Sequence, residues 1–325
     1  MKRNFIVTAV ALTVVFNGFG VDLADLQKNV DSFSSELAMS LPFNASMGLN
    51  WSDAYIGKFL GVPPHFGVGV SGGFTSLNSV AFDDLLDNFG VSLPIGEMLL
   101  SSYVVEGRLG GFFLPFDVGV KFGILPQVDF GDRLKIDHLL AGADIRFAVV
   151  EGNVILPRIS VGVGFNFLKG ALTAPLDNGV SFNVDEKVLT LTQPEATFSW
   201  ETKSIDLKAQ VSKSFLIITP YAGFGASYAW SNMGYSVESK IRYDGSDVDN
   251  AAISEIKEKL ASAGVPGLDK LSANGFSSIV AAEGWTFRAF LGLSLNVFIV
   301  KFDLTGMYNF IDSNYGATMG VRMQI

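Results

Sequence analysis

Residues 284–325 read GWTFRAFLGLSLNVFIVKFDLTGMYNFIDSNYGATMGVRMQI. Trp285, Phe287, Ala289, Leu291, Leu293 and Leu295 share one phase of this stretch, and Arg288, Gly292, Ser294 and Asn296 share the other. Phe298, Val300, Phe302, Leu304, Tyr308 and Phe310 then alternate with Lys301, Asp303, Thr305 and Asn309. Tyr315, Ala317, Met319, Val321, Met323 and Ile325 finally alternate with Thr318, Arg322 and Gln324. A period of two means strands with one apolar and one polar face. Runs of about 10–12 residues, aromatic towards the ends and aliphatic between, suit a tilted crossing of a bilayer by β-strands. The last run is expected to be the closing strand of a barrel.

Composition agrees. The chain has 325 residues, 49% of them hydrophobic, with a mean hydropathy of +0.36. Yet beyond its first twenty residues it has no continuous apolar run of the roughly 20 residues that a membrane helix needs. A large β-rich core or a lipid-facing barrel remains. At the start, Lys2 and Arg3 precede an apolar stretch from Phe5 to Phe16, and Gly18-Phe19-Gly20 places small residues at the −3 and −1 positions. This predicts a cleaved secretory signal over 1–20, the apolar stretch being short for an anchor. The 23 Lys and Arg face 32 Asp and Glu, a formal net charge of −9, and loss of Lys2 and Arg3 leaves the remainder more acidic. Nucleic-acid binding, which wants a basic surface, is disfavoured. With no Cys there is no disulfide framework, thiolate metal site or lipid-modified Cys.

Along the chain, Leu23, Leu26, Val30, Phe33 and Leu37 recur at helical spacing, with Asp25, Lys28, Asp31 and Glu36 elsewhere around the helix, and Pro42 is read as its end. Residues 21–42 thus form an N-terminal helical segment and 43–325 a single barrel domain. About twelve strands (range 10–14) are expected, over 43–51, 65–74, 102–112, 116–125, 138–150, 158–169, 180–192, 196–213, 217–230, 284–296, 298–310 and 314–325. Two connections are long. Residues 75–101 contain a helical piece from Phe82 to Phe89. Residues 231–283 contain a helix from Ala251 to Ala263, with Asp249 as N-cap and Gly264 and Pro266 as stops. If both barrel ends lie on the periplasmic side, the 231–283 loop is external, but twelve strands then put 75–101 where turns should be short.

With the apolar phase facing outward, the opposite face carries Glu106 and Arg108, Asp117 and Lys121, Asp144 and Arg146, Asp206 and Lys208, and then Arg288, Lys301, Asp303 and Arg322. Pairing Phe310 with Tyr315 sets Asp303 across from Arg322. Seven bases and five acids describe a paired network better than a single-sign selectivity ring. A narrow or plugged lumen has to pair such charges; the pairs either knit the wall or line a gated path. Gly119, Gly123, Gly142, Gly162 and Gly164 leave interior space, and the acidic helix 22–41 is the expected plug of this basic lumen. Trp230, Trp285 and Tyr228 are expected at one membrane interface, and Phe290, in the polar phase, beside a greasy path or a plug.

Catalytic signals are sparse. His65 and His138 are the two histidines, and neither sits in an HExxH motif. No GxSxG elbow occurs. His138 with a serine brought near in space is the remaining catalytic arrangement. The acidic turn Asp244-Gly245-Ser246-Asp247-Val248-Asp249-Asn250 lacks the spacing of an EF-hand. No cofactor, metal or catalytic residue is predicted.

These features resemble bacterial outer-membrane β-barrel proteins. The stretch Tyr315–Ile325 is similar to the terminal strand read by the barrel-insertion machinery, although it ends on Ile325 rather than an aromatic residue. Within that class, the segment before the first strand, the apolar-rich chain and the strand number are similar to the long-chain fatty-acid transporter (FadL-type) group. No residue motif carries that group's ligand site onto numbered positions here. The resemblance implies an outer-membrane protein with the lipid bilayer and the insertion machinery as partners. Passive transport of a small, hydrophobic ligand is the leading expectation. The alternative is a surface-exposed structural or adhesin-type barrel acting through the 231–283 loop. A secreted soluble β-protein is the least favoured, and oligomeric state is left open.

Overall fold

The structure, a computed structural model, describes residues 23–60, 63–77, 98–129, 135–175, 180–184, 187–243, 245–248, 253–254, 258 and 275–325. Helix α1 (Leu23–Ala45) leads into an extended stretch and then into β1 (Phe66–Leu77), β2 (Met98–Gly110), β3 (Phe116–Asp129), β4 (Lys135–Val150), β5 (Arg158–Pro175), β6 (Val180–Val184), β7 (Lys187–Ser212), β8 (Ile218–Tyr243), β9 (Ser246–Asp247), β10 (Gly275–Val297), β11 (Val300–Asn309) and β12 (Tyr315–Gln324). Pairing is antiparallel between successive barrel strands, β7 meets β8, and β1 meets β12, so the sheet closes on itself. Ten strands form the ring; β6 and β9 are short flanking strands on β7 and β8.

Ten replaces the expected twelve for two local reasons. Residues 43–51 are not a strand: α1 runs past Pro42 to Ala45, and an irregular stretch follows. Proline removes one helical hydrogen bond, but Phe43 and Ala45 are buried, and that packing carries the helix one turn further. The stretches 180–192 and 196–213 become the β6–β7 hairpin and a single long β7. The apparent break is a bulge between Thr192 and Glu195, containing Pro194, which has no N–H for the ladder. Pro126 falls in a similar irregularity of β3.

Losing two strands settles the connection problem. The short turns 111–115, 151–157, 213–217 and 298–299 now share one rim, and the connections 78–97, 130–134, 244–274 and 310–314 share the other. The loop read as 231–283 is shorter than expected, because β8 and β10 extend into it. The signal at 1–20, the helix Phe82–Phe89 and nearly all of Ala251–Ala263 lie outside the described residues.

The outward face has a sharp profile. Val118, Val120, Phe122 and Ile124 on β3, Phe287, Leu291, Leu293, Leu295 and Val297 on β10, and Phe302 and Leu304 on β11 are exposed. Tyr103, Trp230, Trp285, Tyr308 and Tyr315 stand at the end of this band nearer the long connections, with Tyr228 against both Trp230 and Trp285 at centroid distances of 5.0 and 5.4 Å. Beyond them β7 and β8, each 26 residues long, continue as a tall wall. Its outward positions are Glu195, Thr197, Ser199, Glu201 and Lys203 on β7, and Asn232, Ser236, Glu238, Lys240 and Arg242 on β8.

Candidate functional site: an ion-paired lumen filled by the N-terminal segment

α1 lies against β10, β8 and β7. Phe33 packs edge-on to Phe198, which meets Tyr235 in turn. From there the chain descends through the barrel. Near the rim of long connections, Asn314 Nδ2 donates to Ser40 Oγ at 3.0 Å. Asn44 donates to Thr75 Oγ1 and to the Leu100 carbonyl, and accepts from Ser102. Phe43 and Met47 join Tyr221, Phe290 and Met307 in one apolar cluster. Lower down, Ala54 N–H donates to Ser212 Oγ at 2.9 Å and Ile56 N–H to Asp117 Oδ2 at 3.1 Å. Phe59 N–H reaches Gly111 O on the short-turn rim, where the chain reverses into β1. Residues 41–56 are buried without a break.

The wall is built to receive this segment. Ser46 and Met47 cap the carbonyls of Pro42, Phe43 and Asn44 at the end of α1, but the last turn has no basic residue to reach the final carbonyl. Lys121 Nζ reaches it from the wall, donating to Ala45 O at 2.7 Å and Met47 O at 2.5 Å. The segment then bends through Gly48 (φ 81°) and Leu49 (φ 57°). A Cβ on Gly48 would lie 2.8 Å from Val104 Cγ2, so the bend needs glycine for both conformation and space. Leu49 N–H donates to Glu106, and its carbonyl accepts from Lys208 at 3.1 Å. Trp51 is buried, with the guanidinium of Arg322 4.5 Å and that of Arg108 5.7 Å from its ring centroid, a cation–π arrangement.

All twelve charged residues read from the sequence face the interior. Arg108 pairs with Asp117 at 2.5 Å and Asp144 at 2.8 Å, while Lys208 reaches Asp144 at 3.3 Å. Arg146 holds Asp117 by two hydrogen bonds of 2.8 and 2.9 Å. Arg288 grips Asp206 by two of 2.7 and 2.8 Å, with Ser227 as a further donor. Such bidentate pairs satisfy the buried charges on both sides. The glycine spaces are filled by these side chains: a Cβ on Gly119 would lie 2.6 Å from Asp144 Oδ1 and 2.7 Å from Arg108 Nη2, and one on Gly142 would lie 2.7 Å from Lys121 Cε.

One pairing differs from the expected register. Tyr308, not Phe310, meets Tyr315, so Lys301 lies directly across from Arg322 and Asp303 across from Gly320. The turn after β11 is two residues longer than assumed, because Asn309 N–H closes it onto Asn314 O. Asp303 still reaches Arg322 diagonally, at 2.7 Å. Two like charges face to face are unfavourable in a sheet. The compensation comes from Asp53 of the inserted segment, whose carboxylate lies 2.5 Å from Lys301, 3.1 Å from Arg322 and 2.8 Å from Arg158. Lys301, Arg322 and Arg158 together offset the cost of burying this carboxylate.

Asp53, Trp51, Asn44 and Gln210, which donates to Trp51 O at 2.7 Å, went unread in the sequence. The excess of bases over acids in the lumen was the signal for a missing anion. It lies beyond the helix rather than on it. The serine near His138 is Ser102, at 3.3 Å. However, the Ser102 hydroxyl donates its single proton to Asn44 Oδ1 at 2.8 Å, which makes the imidazole the donor rather than the base. The geometry is that of a relay fixing the end of α1. Among the described residues no group of His, Asp and Glu could hold a metal ion.

The fold and this interior define a closed antiparallel β-barrel with its own N-terminal segment inside. The chain belongs to the Lsa36-like family, whose pattern matches residues 83–325. No curated protein sequence matches the chain. Among solved structures it is similar to the outer-membrane protease OmpT from Escherichia coli (9% identity, covering 81% of this chain and 98% of that one, TM-score 0.42). It is also similar to a FadL homologue from Pseudomonas aeruginosa (10% identity, 75% and 60% covered, TM-score 0.38). A third is the translocator domain of the autotransporter NalP from Neisseria meningitidis (9% identity, 93% and 98% covered, TM-score 0.35).

Proposed function

We propose that the protein spans the bacterial outer membrane as a barrel plugged by residues 33–56, and that it acts at the rim of long connections. The filled lumen carries this reading. Residues 41–56 are buried, and Phe290, expected beside a greasy path or a plug, lies 2% exposed in a cluster with Phe43 and Met47. The apolar outer band with its Tyr and Trp edge supports the membrane assignment. The polar wall of β7 and β8 beyond it supports a surface that projects from the membrane to meet a partner.

A second reading, gated passage of a small hydrophobic solute, is favoured by Asp53. The wall leaves Lys301 and Arg322 facing each other, pairs Arg322 with Asp303, and relies on a segment outside the sheet to neutralise Lys301. Single-channel conductance in planar bilayers separates the two. Wild type without steps, and no steps in Asp53→Asn either, supports the closed barrel. Steps in Asp53→Asn alone support gating. Steps of equal size in both overturn the plug.

A further inference from the structure

Each of the four short turns displays large apolar side chains: Phe112, Phe113 and Leu114; Val154, Ile155 and Leu156; Phe215, Leu216 and Ile217; and Phe298 with Ile299. Their exposure is extreme, at 82% for Phe113, 95% for Val154 and 99% for Phe298, with Leu216 fully exposed. Turns in water favour Gly, Asn, Asp, Ser and Pro. These do the opposite on every hairpin of one rim.

The backbone makes the choice more pointed. Leu216 (φ 35°) and Phe298 (φ 55°) occupy left-handed conformations, where Gly or Asn is normally found and a large side chain is disfavoured. On the opposite rim, the described turn Ile311–Asn314 has Ser313 at its positive φ, beside Asp312 and Asn314. Two of the four turns on the short-turn rim therefore place a bulky apolar group where the backbone resists it, while Gly152 (φ 76°) takes that conformation in a third.

The backbone polar groups of these turns find partners among themselves. Asn153 Oδ1 accepts from the N–H groups of Ile155 and Leu156 at 2.8 and 2.7 Å. Lys213 folds back to donate to the carbonyls of Asn153, Val154 and Leu156 at 2.9, 2.7 and 3.1 Å. Gly111 N–H pairs with Phe116 O, Phe215 and Ile218 exchange both backbone bonds, Asn296 N–H caps Ile217 O, and Gln324 N–H caps Ile299 O. Internal satisfaction of backbone polar groups is what a hydrocarbon environment demands. Below the turns, the apolar band continues unbroken through Val118, Phe147, Val161, Val211 and Leu295.

We infer that the short-turn rim is immersed in the acyl chains of the adjacent phospholipid leaflet, so that the four turns are lipid-binding elements and not water-facing caps. This rests on the reading that the barrel spans a membrane. Continuity with the lipid-facing band selects lipid over a protein partner.

The chain has no Cys, so single-cysteine variants of the full protein can carry an environment-sensitive fluorophore cleanly. F113C, I155C, L216C and F298C probe the rim; L304C, in the middle of the β11 outer face, and S246C, beyond the polar wall, are controls. In phosphatidylcholine vesicles with acyl-chain nitroxide lipids, all four rim probes should lose fluorescence as L304C does and resist aqueous iodide. Rim probes quenched by iodide like S246C, with L304C still lipid-quenched, would overturn the inference alone. Loss of lipid quenching at L304C as well would overturn the membrane reading beneath it. Rim protection that appears only at high protein density, without lipid quenching, would assign the surface to a second copy and also overturn the inference.

Discussion

Replacing Asp53 with Asn should loosen the plug while leaving the barrel closed as a sheet. The side chain keeps its size and a carbonyl acceptor but loses its charge, which leaves Lys301 and Arg322 opposed across the β11–β12 ladder. Arg322 retains Asp303 at 2.7 Å; Lys301 has no other acidic partner within the ion pairs seen among the described residues. Arg158 also reaches Asp53 at 2.8 Å, with its side chain 37% exposed. Breaking a buried pair by removing one partner costs about 3–5 kcal/mol. At 1.4 kcal/mol per factor of ten, the seated segment should lose roughly 10²- to 4 × 10³-fold in population relative to released forms. Limited proteolysis of the detergent-folded protein should therefore cut within 46–60 in D53N and spare wild type, with the strands intact. Adding Lys301→Met should restore part of the protection, because it removes one of the opposed cations; a coupling of about 0.5–3 kcal/mol is expected for groups in contact. Equal resistance of wild type and D53N would refute the assignment of Asp53 as the latch. A K301M/D53N double mutant no better than D53N would refute the like-charge argument.

Lys121→Met should free the end of α1. Hydrogen bonds from a charged donor are worth about 1.5–3 kcal/mol, so the thermal midpoint should fall and hydrogen exchange should rise over Ala45–Leu49. Trp51→Ala should be more damaging, by about 3–5 kcal/mol as for other buried Trp or Phe truncations, read as a lower midpoint in a thermal melt. Gly119→Ala should displace the Arg108–Asp144 pair and cost about 1–3 kcal/mol as an overpacking change, checked by the same melt.

Strand faces were legible because they are local. Alternation at 284–325 assigned Leu291, Leu293, Phe302 and Met319 outward and Arg288, Lys301, Asp303 and Arg322 inward, and the sheet agrees residue by residue. Proline punctuation was less dependable. Pro42 did not end α1, and Pro194 interrupted the pattern of one continuous β7. In both places the rest of the fold supplied enough packing or pairing to override a single missing N–H. Those two places were enough to change the strand count and therefore the rim on which the connections before β7 fall.

What the sequence determined by itself was the closed all-β architecture, the apolar exterior and the identity of the interior charges. These follow from a period of two, which each strand displays regardless of its partners. What only the tertiary structure decided was register and filling. A two-residue difference in one turn set Lys301 instead of Asp303 opposite Arg322, and the stretch 43–51, expected as a strand, ends α1 and enters the interior instead of the wall. Both depend on groups far apart in the chain meeting after closure. Asp53 and Lys301 are 248 positions apart, and no local pattern encodes which buried cation a distant carboxylate will neutralise.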